Sequence, residues 1–122
     1  MSLSVDVYVT MPDGGMEVLE VPEGSSDLAG FEAWRHSVWG SDRVRALGAE
    51  FFPALATGDL YVEPGEVERF QRECALLRAN LETVAGGVDP HRATVGTVSA
   101  RLAHIEDAAR RARAVGAGVV VW

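Results

Sequence analysis

Apolar and polar residues alternate one for one at the start of the chain: Leu3, Val5, Val7 and Val9 against Ser4, Asp6, Tyr8 and Thr10. A period of two with β-branched residues predicts a half-buried strand over residues 3–10. Pro12-Asp13-Gly14-Gly15 has turn chemistry, because proline fixes φ and glycine tolerates positive φ. Met16 to Val21 resumes as a strand that Pro22 ends. The segment as a whole predicts a β-hairpin with a loop longer than two residues.

The period then lengthens. Gly24-Ser25-Ser26-Asp27 reads as a loop closing on an N-cap at Asp27, whose carboxylate can accept from the free N–H groups of a first turn. Leu28, Phe31, Val38 and Trp39 fall on one helical face, predicting a helix over 27–39. Gly40 interrupts it and Ser41 or Asp42 offers a second cap. Val44, Leu47 and Phe51 predict a further helix over 42–52, which Pro53 disturbs or ends. Leu60-Tyr61-Val62 is a short strand or an extended entry to the next helix. Val67, Phe70, Cys74, Leu77, Leu81 and Val84 step by three or four residues, predicting a helix over 64–85. Pro64 is tolerated in its first turn, Glu63, Glu66 and Glu68 suit its positive end, and Gly86-Gly87 stops it. Val88-Asp89-Pro90-His91 reads as a linker.

From Thr94 a last stripe runs through Val95, Val98, Leu102, Ile105, Ala109 and Ala112 to a C-cap at Gly116. Glu106 and Asp107 stand four residues before Arg110 and Arg111, the favourable order for helix ion pairs worth a few tenths of a kcal/mol each. Val119 to Trp122 reads as a strand that must be paired, since a bare Val-Val-Val edge invites aggregation. The order is β-β-α-α-(β)-α-α-β. It predicts one α+β domain over residues 1–122: a small antiparallel sheet, made of the N-terminal hairpin and the C-terminal strand, with about four helices on one face. The terminal strand is expected beside the first.

Composition narrows the function classes. The chain is 48% apolar and 24% charged, as soluble globular domains are. No apolar run approaches the ~20 residues of a membrane span. Met1 to Asp6 lacks the basic and apolar regions of a signal peptide, so a cytoplasmic setting is expected. The net charge is −7, and all eleven basic residues are arginines. That balance argues against nucleic acid and against anionic lipid, and it permits attraction to a basic protein.

Searches for chemistry return little. Gly14-Gly15 and Gly116-Ala117-Gly118 match no phosphate-binding loop, and the second follows a helix rather than opening one. Of the three histidines, His36, His91 and His104, no two stand at helical ligand spacing, so no metal or other cofactor is expected. Cys74 lies inside an apolar stripe, where a thiol is a small buried hydrophobe with a raised pKa. No Gly-x-Ser-x-Gly elbow is present. The residue that does not fit is Arg35, which falls inside the apolar arc of the 27–39 helix and must snorkel or find a carboxylate. Trp34 and Trp39 flank it, and Trp and Arg are types enriched at binding hot spots. Trp34, Arg35 and Trp39 are therefore the candidate binding residues. No catalytic residue is assigned.

Several stretches resemble a family of small uncharacterised actinobacterial proteins: Val38-Trp39-Gly40-Ser41, Arg45-Ala46-Leu47-Gly48-Ala49, Phe52-Pro53, Gly58-Asp59-Leu60-Tyr61-Val62-Glu63-Pro64, Glu73-Cys74, Arg101 to Ile105 and Val119 to Trp122. The resemblance covers residues 30–122 and implies no activity. In size, acidity and α+β make-up the chain also resembles bacterial immunity proteins, which implies a protein partner. The expected function is a non-enzymatic protein-binding or regulatory protein, an immunity-type partner of a basic protein. The alternatives are a small enzyme or ligand-binding domain with a site around Arg35, and a self-associating accessory protein that forms a homodimer.

Overall fold

The computed structural model describes residues 2–86 and 93–122. Strand β1 spans Ser2–Thr10, and its alternation is the one the sequence shows: Leu3, Val5 and Val7 are buried. It is a central strand. Along one edge it pairs antiparallel with β5, Gly118–Val121, in the register Val5 with Val121 and Val7 with Val119. Main-chain bonds between Ser4 and Trp122 prolong that pairing. Strand β4, Leu60–Val62, covers the far edge of β5. The terminal strand thus lies beside the first, as expected, and is flanked on both sides.

The other edge of β1 differs from the expectation. Strand β2 is only Met16–Val18, antiparallel to Tyr8–Thr10. Residues 28–31, expected to open a helix, form strand β3, Leu28–Phe31, antiparallel to Ser2–Ser4. Both β2 and β3 run opposite to β1 along the same edge, one after the other. They amount to a single edge strand from which residues 19–27 leave and return. Asp27 therefore caps no helix, and its carbonyl accepts from Val5 N–H. The strand wins at 28–31 because Gly30 adopts φ +112°, closed to other residues, and Trp34 packs so close that a Cβ there would stand 2.4 Å from the indole. Only residues 35–39 of the expected helix coil, as one π-type turn.

The helices form the second layer, so the α+β class and the one-sided packing hold. Helix α1 is Asp42–Ala46, capped by Ser41 Oγ on Val44 N–H. It is shorter than expected, because Gly48 turns to φ +98° and Phe52–Ala56 follows as a 3-10 turn with Pro53 in its opening. The expected 64–85 helix is broken: a 3-10 turn over Pro64–Glu66 leads into α2, Val67–Arg78, and after Ala79-Asn80 the chain restarts as α3, Leu81–Ala85. Gly86 stops α3 in the left-handed region. The second glycine of that stop and the linker at 88–91 lie outside the described residues. Helix α4, Val95–Val115, has the expected cap at Thr94, where Thr94 and Thr97 cap each other, and ends at Gly116 with φ 69°. Its buried face is Val98, Leu102, Ile105, Ala108, Ala109 and Ala112, while Val95 is exposed. The alanines let α4 lie close over β1, β3 and β5. Trp34, Trp39, Phe52 and Phe70 complete the core as a chain of ring contacts 5.3–5.8 Å apart. None of the described helices is long and apolar enough to cross a membrane.

Candidate functional site

The residues singled out from the sequence are used by the fold itself. Trp34 and Trp39 are 1% and 0% exposed. Trp39 donates its indole N–H to Ala29 carbonyl at 2.8 Å, anchoring the 35–39 turn to β3. Arg35 is outside the core, because the continuous helix that would have buried it does not form. Its Nε meets Glu32 Oε1 at 2.5 Å, its Nη1 donates to Gly58 carbonyl, and its Nη2 meets Asp59 Oδ1 at 2.8 Å. All three nitrogens are engaged, and they pin the turn to the 57–59 loop. Cys74 is buried at 1% exposure. Burial, followed by the charges of Glu106 and Glu73, pushes its thiol far up, so no thiolate is available at neutral pH. Among the described residues no group of three His, Cys, Asp or Glu could hold a metal.

The expected outer-face ion pairs of α4 are partly redirected. Asp107 does meet Arg111, Nε to Oδ2 at 3.0 Å, and Arg110 as well. Glu106 instead crosses to α2, where it grips Arg78 with both oxygens, and Arg78 also binds Ser99. Glu73 carries the buried carboxylate of the layer. It accepts from the backbone N–H groups of Glu50, Phe51 and Phe52 and so caps the 3-10 turn across the fold. Removing an acceptor from such N–H groups costs about 1–3 kcal/mol each.

A different surface collects the features of a binding site. Residues directly opposite on neighbouring strands share a face, and alternate residues along a strand share a face. The register therefore sets Ser4, Asp6, Tyr8 and Thr10 of β1 together with Met16 and Val18 of β2, Leu28 and Phe31 of β3, Tyr61 of β4, and Val120 and Trp122 beyond them. This is the face turned away from the helices. Of the eight large apolar residues left exposed among the described ones, five lie here: Met16, Val18, Leu28, Phe31 and Tyr61, the last 50% exposed. Exposed large apolar residues gathered on one sheet face are a feature of interaction surfaces.

The patch is ordered by its own bonds. Trp122 Nε1–H donates to Asp6 Oδ2 at 2.9 Å, and Tyr8 O–H donates to Val62 carbonyl at 3.2 Å. Tyr8 and Tyr61 meet edge to face at 6.4 Å. Gly118 makes room, since a Cβ there would stand 2.5 Å from the Tyr8 ring. Burial, then the charges of Glu63 and Glu66, raises the Tyr8 phenol above its ordinary value, so it stays a neutral donor. Tyr8 is itself buried and braces the half-exposed Tyr61 ring, which is thereby pre-placed at low entropic cost.

Charge is distributed just as unevenly. Residues 1–34, which supply β1, β2 and β3, contain seven carboxylates and no basic residue, while residues 35–122 contain eleven of each. The whole net charge of −7 thus sits in the segment that builds the apolar face and its edge. Of those seven carboxylates, only Glu32 forms an ion pair among the described residues. The charge excess was present in the sequence as a count; the register places Asp6 on the helix-free face and Glu17, opposite Val9, on the other, while Glu20 lines a cleft beside α4.

No protein-family model, curated protein or solved structure matches this chain.

Proposed function

We propose that this chain is a non-enzymatic protein-binding module of regulatory or immunity type, and that it receives a basic partner on the helix-free face of its sheet. One observation carries the reading: five exposed large apolar residues share the helix-free face of the sheet, and the segment that supplies β1, β2 and β3 carries the whole net negative charge of the chain. Apolar contact supplies the attraction at short range, and the uncompensated carboxylates favour and steer a positively charged surface. The same charge disfavours self-association through this face, because two copies bring like charges together. The Arg35 alternative gains nothing from the geometry, since its guanidinium is held by Glu32, Gly58 and Asp59.

The test is co-purification from the native host with four baits: the wild type, Leu28→Arg, Tyr61→Arg, and the helix-layer control Arg72→Ala. The expected result is one stoichiometric basic protein with the wild type and the control, and its loss with both sheet-face variants. Recovery of no stoichiometric partner, or of the same partner by all four baits, contradicts the reading.

A further inference from the structure

Where residues 19–27 leave the sheet edge they roof a cleft of about 290 Å³ against the end of α4. Its lining is mostly apolar, from Val7, Leu19, Pro22, Ala114 and Val115, with Arg111 among them. Arg111 is held by one bond, Nε to Asp107 Oδ2 at 3.0 Å, and Asp107 in turn accepts from Ser25 Oγ at 2.8 Å on the roofing segment. The Arg111 Nη2 is the only buried side-chain nitrogen or oxygen without a hydrogen-bond partner among the described residues. A desolvated guanidinium donor without an acceptor is unfavourable, and natural folds rarely leave one unless something else supplies the oxygen.

We infer that this cleft is a ligand site for a small monocarboxylate with a branched or aromatic apolar body. The carboxylate meets the Arg111 guanidinium, the pairing for which its forked donors are shaped. The body replaces water against Leu19, Pro22 and Val115. Single charge and small size follow from the surroundings. The cleft is near the lower limit of ligand pockets, and Glu20 on its lining repels a phosphate or a dicarboxylate. Asp107 divides its charge between Arg110 and Arg111, so one further carboxylate balances the pair of guanidinium groups. The site lies under the roofing segment and is independent of the sheet-face reading.

The experiment follows backbone amide signals of the ¹⁵N-labelled full chain during titration with isovalerate, with its neutral isostere isovaleramide, and with N-acetylleucine as a stand-in for a peptide chain end. The expected result is saturable shifts at Leu19, Arg111, Ala114 and Val115 with an acid, and binding of the amide about tenfold weaker. Isovalerate alone assigns a free acid, and N-acetylleucine alone assigns a chain terminus. Arg111→Met abolishes the preference for acid over amide. Ala114→Phe, at an exposed position outside the Ser25–Asp107–Arg111 network, fills the cleft and abolishes binding even if Arg111→Met does not fold. The inference is overturned by the absence of saturable shifts at tens of millimolar, the weakest useful range on the affinity scale. It is equally overturned by equal binding of acid and amide, or by undiminished binding in Ala114→Phe.

Discussion

In the helical layer most of the described arginines find carboxylates, while Arg43 donates to the carbonyls of Ser37, Thr83 and Val84. Arg78 clasps Glu106 across α2 and α4, Arg110 and Arg111 share Asp107, and Arg69 and Arg72 meet Glu50 and Glu68. In the segment that supplies β1 to β3, Asp6, Asp13, Glu17, Glu20, Glu23 and Asp27 form no ion pair among the described residues, and Leu28, Phe31 and Tyr61 stand exposed on the helix-free face of the sheet. A surface ion pair contributes little to stability, about 0–1 kcal/mol, so the pairing of the helical layer is not what holds the fold. Its consequence is charge balance: residues 35–122 hold eleven carboxylates and eleven arginines. The sheet segment has no such balance: residues 1–34 carry seven carboxylates and no basic residue.

Substitutions can break this contrast from either side. The largest effects belong to positions that hold the layers together. Gly30→Ala forces a side chain into the φ +112° backbone and into Trp34, and is expected to cost about 3 kcal/mol, read as a fall in the denaturant midpoint. Glu73→Gln replaces one of the two accepting oxygens facing the Glu50, Phe51 and Phe52 N–H groups with a competing donor, for about 2–4 kcal/mol by the same measurement. A midpoint within experimental scatter of the wild type for Glu73→Gln would show that the carboxylate is not the cap of the 3-10 turn.

A smaller effect is tied to pH. Burial works against the Asp107 carboxylate, but bonds from Ser25 and Arg111 and the charges of Arg111 and Arg110 outweigh it and hold its pKa below the ordinary value. A depressed folded-state pKa stabilises the fold above the unfolded value of about 4, and that contribution is lost as pH falls through the folded value. Asp107→Asn is expected to cost about 1 kcal/mol at pH 7 and to flatten the acid limb of the stability curve below pH 4 or so. An unchanged acid limb would remove Asp107 from the account. The smallest stability change is expected on the sheet face itself: Leu28→Arg and Tyr61→Arg shift the midpoint by less than about 1 kcal/mol. That tolerance separates an exposed face from a covered core.

Some of this division could be read from the chain and some could not. The alternation of Leu3, Val5 and Val7 and the cap-to-cap stripe from Thr94 to Gly116 each obey one period throughout, and both elements formed where expected. The 27–39 helix failed for a specific reason. Leu28 and Phe31 stand three apart, as on a helix, yet the register shift between Ser2 and Ser4 in the β1–β3 pairing lets residues three apart share one strand face. A bulge imitates a helical period over so short a segment. The inference about Arg35 inherited that error, because the apolar arc that made it look anomalous never existed. The sheet face stayed hidden because β1 contributes mostly Ser4, Asp6 and Thr10 to it, which read as an ordinary wet face. Its apolar members come from four other strands, and only the pairing assembles them.

The central claim concerns which layer meets the partner, and amide mapping on the ¹⁵N-labelled chain tests it most directly. The partner recovered from the host is added to saturation, and perturbed signals are placed on the two layers. The account predicts perturbation concentrated at Ser4, Asp6, Tyr8, Val18, Leu28, Tyr61 and Val120, weakening as salt rises. Perturbation confined to the exposed side of α2 and α4, with the β1 and β5 signals unmoved, would contradict it.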